Sequence, residues 1–387
     1  MPEAPPPRRR RRILRGALVL LVVVTATAAV LLVPRWRGVR LWLDLTGDGA
    51  LTLGARTLHA VPLTPEEAKA PWAPKAWLAS FPPAQGEAKT LPGLLFVHGL
   101  AADGLGDERI QRAVHAFCQG GFFVLAPEVA SLRWPGEREP DVGDLAHEWR
   151  RMVTPGEAPE EADPERAGGV GVSLGGALLL RSVAHAVRAG AQPPRALLLL
   201  GVPYDLEPLL AAWSGAPPSG ATKGELDDHA FARHAVLQAA AGELFADRPD
   251  VHRAVQAWLG AAQVPAGRPA TDDADALAFA AFAVDPTADR TWHQRVRDAA
   301  WARLGPLSLA QHVDELEVLS AVPVYLVHGR GDRLVPVDQM RALAKHLPRA
   351  HVLESSLLGH ADIGSATLAE RWAHVVDVDD FLDEVDP

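Results

Sequence analysis

The chain has 387 residues, of which 48% are hydrophobic and 22% charged, with a formal net charge of −10 and one cysteine. That length and apolar content give one large domain or two modest ones and exclude a chain disordered throughout. Cys118 has no partner for a disulfide, so no disulfide framework exists, and its thiol reads as a small buried apolar side chain.

The N-terminal segment has its own physics. Residues 1–40 carry nine arginines against Glu3, a local charge of +8, which leaves −18 on the rest of the chain. A body that acidic repels phosphate backbones, so nucleic acid is excluded as a partner. Arg8 to Arg12 form a basic stub. Ile13 to Val33 is then apolar except for Arg15, Gly16, Thr25 and Thr27, and Pro34 stops the pattern. A helix of that length spans roughly 30 Å, the thickness of a bilayer core. The run exceeds the apolar region of a cleaved signal peptide, and no small-x-small site follows it, which favours an uncleaved signal anchor. The arginines ahead of the span keep the N-terminus cytoplasmic and export the remainder, although Arg35, Arg37 and Arg40 work against that count. The expectation is a single-pass, membrane-anchored protein with its main domain outside the cytoplasm.

Residues 41–90 form an irregular lead-in with short strands. Leu43 to Leu53 resembles the opening of a calcium loop through Asp44, Thr46, Asp48 and Gly49. Ala55 stands where a bidentate glutamate is needed, so the segment reads as a turn. After Leu91, short apolar runs alternate with helical patterns. Strands are expected at Leu94–Val97, Phe122–Ala126, Gly168–Val172, Ala196–Val202, Val322–Val327 and His351–Glu354. Helices are expected at Glu108–Gln119, Val142–Met152, Leu174–Arg188, 337–346 and 366–384. This alternation predicts an α/β fold with a mostly parallel sheet flanked by helices. Residues 207–320 break the rhythm and read as a large helical cap inserted between two sheet strands. The core is then 91–206 together with 321–387.

Within that core, Gly171-Val172-Ser173-Leu174-Gly175 follows an apolar strand and opens a helix. A chain that turns this sharply brings the residues on either side of the serine together, which glycine permits. The serine is left exposed at the strand's carboxyl end, over a helix N-terminus that favours developing negative charge. A serine nucleophile needs a base, and the base needs an acid. Two later strands supply them in order: Val322–Val327 runs into the loop bearing Asp332, and His351–Glu354 into the loop bearing His360. Asp338 and Glu354 are weaker candidates for the acid. An oxyanion needs donors in place. The backbone N–H of Leu174 is one and that of Leu100, after His98-Gly99, is the second; His98 reads as structural. No Walker loop, dinucleotide fingerprint or metal-ligand cluster appears, so no cofactor and no metal are expected. His229 and His234, five residues apart, do not share a helix face. Trp213, Trp258, Trp292 and Trp301 fall in or near the cap as core or as channel wall.

Together these features resemble the α/β-hydrolase superfamily across 91–206 and 321–385. The resemblance implies a nucleophile elbow at Ser173, with Asp332 as acid, His360 as base and an oxyanion hole from the amides of Leu100 and Leu174. The implied activity is a serine hydrolase of the carboxylesterase or lipase type, acting on an ester or thioester of a small or lipid-like acyl substrate. A serine peptidase of the same fold and a non-catalytic hydrolase-like binding protein are the alternatives.

Overall fold

The computed structural model describes residues 35, 37–39, 41, 59–60, 77–80, 90–138, 142–217, 219–260, 267–287, 289–356 and 368–387. The apolar span 13–33, the Asp44–Ala55 segment and His360 lie outside the described residues. Among the described residues no helix is long and apolar enough to cross a membrane.

The strands are β1 (His59–Ala60), β2 (Trp77–Ser80), β3 (Leu91–Val97), β4 (Phe123–Pro127), β5 (Ala162–Val172), β6 (Leu197–Leu200), β7 (Val324–Gly329) and β8 (Ala350–Ser355). They join one sheet in the order β1-β2-β4-β3-β5-β6-β7-β8. β1 and β2 pair antiparallel and β2 joins β4 antiparallel, so the lead-in extends the core sheet. From β4 to β8 every pairing is parallel. The helices α1 (Glu108–Gln119), α2 (Val142–Val153), α3 (Leu174–Arg188), α9 (Val337–Ala344) and α10 (Leu368–Val385) cover the sheet.

Side-chain alternation divides the core between the two faces. Leu94 and Phe96 of β3 pack with Val114 and Phe117 of α1 and Phe381 of α10. Leu95 and Val97 pack on the other face with Trp149 of α2, Leu178 of α3 and Met340 of α9. Both faces of β3 are therefore dry, which is why its sequence is apolar without interruption. Cys118 is fully buried in the first of these clusters.

Between β6 and β7 the chain forms α4 (Leu206–Ser214), α5 (Lys223–Leu244), α6 (Pro249–Leu259), α7 (Ala274–Val284) and α8 (Arg290–Leu304). Asp205, Thr222, Asp273 and Asp289 cap four of these helices through their side chains. Phe245, Phe279 and Trp292 meet edge to face inside this layer. The layer shares one apolar cluster with α2 and α3, so it is built onto the sheet domain.

The N-terminal residues nearest the domain are pinned to α10. Arg35 pairs with Asp380 at 2.5 Å, Arg37 with Asp386 at 3.0 Å, and the Gly38 N–H donates to Asp379 at 2.8 Å. A Cβ on Gly38 would come within 2.6 Å of the Val375 carbonyl oxygen, so glycine is what admits this contact.

α10 also holds β8. The His374 imidazole Nε2 and the Ser355 hydroxyl lie 2.5 Å apart, both buried. Burial pushes the imidazole down to about 4 from its usual 6.5. The folded protein then refuses a proton that the unfolded chain accepts. Stability is thus unaffected above about pH 6.5 and falls as the pH drops from there toward 4, on the order of 3 kcal/mol in total. His374→Asn is expected to flatten the fall of Tm between pH 6.5 and 4, measured by calorimetry. An unchanged slope would show that the unfolding proton uptake lies elsewhere.

Candidate active site

The chain leaves β3 toward β4 on one side and returns to β5 on the other. The connections that follow β3 and β5 therefore leave toward opposite faces, and in open parallel sheets such a switch point forms a crevice. The loop after β3 and the turn after β5 both open into it.

Ser173 occupies the turn between β5 and α3 with φ +52° and ψ −131°. Among the described residues it is the one non-glycine with positive φ. A serine held there costs about 1–3 kcal/mol, so surrounding contacts must impose it. They do. A Cβ on Gly171 would come within 2.5 Å of the Gly176 α-carbon, and one on Gly175 within 2.0 Å of the His98 carbonyl oxygen. The strand, the serine turn and the end of β3 are thus in backbone contact. The loop after β3 meets the serine directly: a Cβ on Gly99 would lie 3.0 Å from the Ser173 Cβ.

His98 is fully buried beneath this junction. Its Nδ1 lies 2.7 Å from the Gly99 carbonyl, and its Nε2 accepts the Val129 N–H at 3.3 Å. A neutral ring with the proton on Nδ1 satisfies both, and burial keeps the ring below its ordinary pKa. His98 therefore braces the Gly99–Leu100 loop. The segment after β4 adds further support, with Glu128 accepting the Leu105 N–H at 3.0 Å.

A cavity of about 440 Å³ opens at this point, lined by Ser173, Leu100 and Leu174. The first N–H groups of a helix have no partner within it, and Leu174 is the first residue of α3. Both amides expected to serve as donors thus belong to residues of the serine's own cavity. Phe96, Ile110, Trp213 and Phe231 supply apolar wall. Asp103, Asp107, Asp227 and Asp228 stand against Arg109, giving the lining an acidic balance.

Asp332 follows β7, two strands from Ser173 in the sheet, so the strand ends that carry them are about 10 Å apart. It is buried, and one carboxylate oxygen accepts the N–H of Leu334 at 3.0 Å and of Val335 at 2.9 Å. Leu334 lines the same cavity as Ser173. The weaker acid candidates are engaged elsewhere: Arg341 pairs with both Asp338 and Glu354. The structure therefore brings Ser173, Leu100, Leu174 and the Asp332 turn to one cavity. His360 lies outside the described residues.

Other sequence candidates are placed as follows. Trp258 and Trp292 lie in the apolar core, whereas Trp213 reaches the cavity. His229 and His293 bond to Ala212 and Ser214 at the end of α4. Sequence reasoning missed Asp227, Asp228 and Phe231 as cavity residues. Their signal was a run on one side of α5, readable only once α5 is known to lie over Ser173.

No protein-family model matches the chain, and no curated protein matches it. Among solved structures, the chain is similar to one of two fungal esterases from Rhizomucor miehei, at 13% identity over 90% of this chain and 89% of that one, with a TM-score of 0.48. It is similar to a thermostable esterase from Pseudomonas putida ECU1011 at 14% identity over 89% and 86%, TM-score 0.45. It is also similar to an acylaminoacyl peptidase from Pyrococcus horikoshii, at 11% identity over 85% of this chain and 41% of that one, TM-score 0.42. The chain's own sheet order and its turn at Ser173 carry its resemblance to the α/β-hydrolase superfamily.

Because the Gly175 α-carbon abuts a backbone carbonyl, Gly175→Ala has no side chain to displace. It is expected to lower thermal stability by several degrees and to reduce labelling of Ser173 by a fluorophosphonate probe at least 100-fold. Wild-type labelling in that variant would show that the close approach is dispensable.

Proposed function

We propose that the protein is a serine hydrolase that cleaves a carboxylic ester or thioester through an acyl-enzyme. The observation that supports it most is Ser173, held at positive φ in the wall of a cavity and in contact with the Gly99–Leu100 loop. A binding surface has no use for a serine held at that energetic cost.

In this reading the Ser173 hydroxyl oxygen attacks the carbonyl carbon while the imidazole of His360 takes its proton. The carbonyl oxygen becomes an oxyanion and accepts hydrogen bonds from the Leu100 and Leu174 amides. The positive end of α3 adds to that stabilisation. Asp332 balances the imidazolium charge. The tetrahedral adduct collapses, the bond to the leaving alcohol or thiol breaks, and His360 returns the proton to it. Water then attacks the acyl-serine with His360 again taking a proton, and the carboxylic acid and free serine are released. No cofactor enters any step.

The apolar wall and acidic balance of the cavity favour a neutral acyl group over an anionic one. On the sequence alone, residues 13–33 are proposed as a membrane anchor with the hydrolase domain outside the cytoplasm.

Ser173→Ala is expected to abolish fluorophosphonate labelling and ester turnover while the melting temperature stays within a few degrees. A folded wild-type protein that the probe leaves unlabelled would overturn the hydrolase reading. Butyrate esters should be hydrolysed at least 10-fold faster, in kcat/KM, than hemisuccinate esters of the same alcohol, and the gap should narrow as salt screens the acidic lining. The kcat/KM profile should fall on the acid side of about pH 6–7, where a histidine base becomes protonated.

A further inference from the structure

The turn that presents Asp332 is held from outside as well as from within. Its own carboxylate bonds the N–H groups of Leu334 and Val335. His328, buried in β7, has its Nε2 2.6 Å from the Val335 carbonyl oxygen. The other two ties come from the helical layer between β6 and β7. The indole Nε1–H of Trp213, in the last turn of α4, donates to the Leu334 carbonyl at 3.0 Å, in a buried bond. Arg333 pairs with Glu225 of α5 at 2.6 Å. Trp213 itself sits between two anchored neighbours, since His229 lies 3.3 Å from the Ala212 carbonyl and His293 lies 3.0 Å from the Ser214 hydroxyl. The same indole lines the cavity together with Ser173, Phe231 and Leu334.

We propose that Trp213 is a positioning residue for Asp332: its ring walls the acyl cavity while its N–H fixes the turn that carries the acid. This inference rests on the serine-hydrolase reading and adds to it a task for the helical layer. That layer shapes the cavity and also holds the acid in line. A buried carbonyl that loses its donor draws the turn toward another partner, and shifts of about 1 Å at a catalytic group cost on the order of 100-fold in rate. The titratable and charged groups near the turn are His328, 3.5 Å from Asp332, Arg333 with Glu225, and Arg330, which faces Glu354 and Glu370.

The test is Trp213→Phe, which keeps an aromatic wall and deletes the N–H. In the full-length protein, kcat for a short-chain ester should fall about 10–100-fold with KM within about twofold. The acid limb of the pH profile should move to lower pH, because a misaligned carboxylate stabilises the imidazolium less. In the Asp332→Asn background the same substitution should have no further effect on kcat, since the indole acts only through the acid. Glu225→Gln keeps the helix cap of α5 and weakens the second tie from a half-buried position. It should move the same limb by a smaller amount, and it carries the test if Trp213→Phe does not fold. Additive losses in the double variant, or a change in KM with an unmoved pH profile, would make Trp213 a wall residue only and overturn the proposal. A wild-type protein that hydrolyses esters and labels at Ser173, but is indifferent to Trp213→Phe and Glu225→Gln, would overturn this inference and leave the hydrolase reading intact. An unlabelled wild type would overturn both.

Discussion

The carbonyl oxygen of His98 lies so close to the Gly175 α-carbon that a methyl group there would come within 2.0 Å of it. Much of the carboxyl face of the sheet follows from that contact. It joins the end of β3 to the first turn of α3, and with Gly171 against Gly176 it leaves the chain one way to pass from β5 into the helix. Ser173 takes a positive φ because its neighbours on both sides are already fixed. The Gly99–Leu100 loop can then lie on the serine, and His98 braces it from below through Gly99 and Val129. The strain at one serine is the local cost of bringing two strand ends and one helix end together.

The helical layer over the sheet belongs to the same construction. It shares an apolar cluster with α2 and α3. It also meets the turn after β4, where a Cβ on Gly242 of α5 would come within 2.0 Å of the Gly136 carbonyl oxygen. Through Trp213 and Glu225 it reaches the turn that bears Asp332. The layer thus touches two loops at the carboxyl rim of the sheet, after β4 and after β7, which makes its packing part of the cavity's shape.

Much of this was legible in the sequence because the relevant forces are local. An uninterrupted apolar run ending in Gly-x-Ser-x-Gly carries strand, turn and helix together, and α3 begins and ends at Leu174 and Arg188 as its pattern predicts. β5 was harder. It starts at Ala162, six residues before the expected Gly168, because Asp163, Glu165 and Arg166 are polar and resemble a loop. Those residues sit at the rim, where Arg166 bonds Asp163 and Asp386, and the register shift between Pro92 and Gly93 admits them to the pairing. Trp213 was legible only as an aromatic residue of the inserted segment. That its N–H meets the Leu334 carbonyl depends on a contact across 121 positions, and no local pattern encodes such a partner. The acidic balance of the cavity was equally hidden, since Asp103 and Asp227 come together only in the fold.

The pinned residues near the N-terminus have a consequence for geometry at larger scale. Arg37 pairs with Asp386, which also meets Arg166 in the first half of β5, and it lies over the Phe122 ring just ahead of β4. All of these mark the amino ends of the strands, whereas Ser173 stands at the carboxyl ends. Whatever is tethered through this point, whether a surface, a bead or a fused partner, holds the domain from behind. The cavity beside Ser173, at the opposite ends of the strands, then faces away from that support.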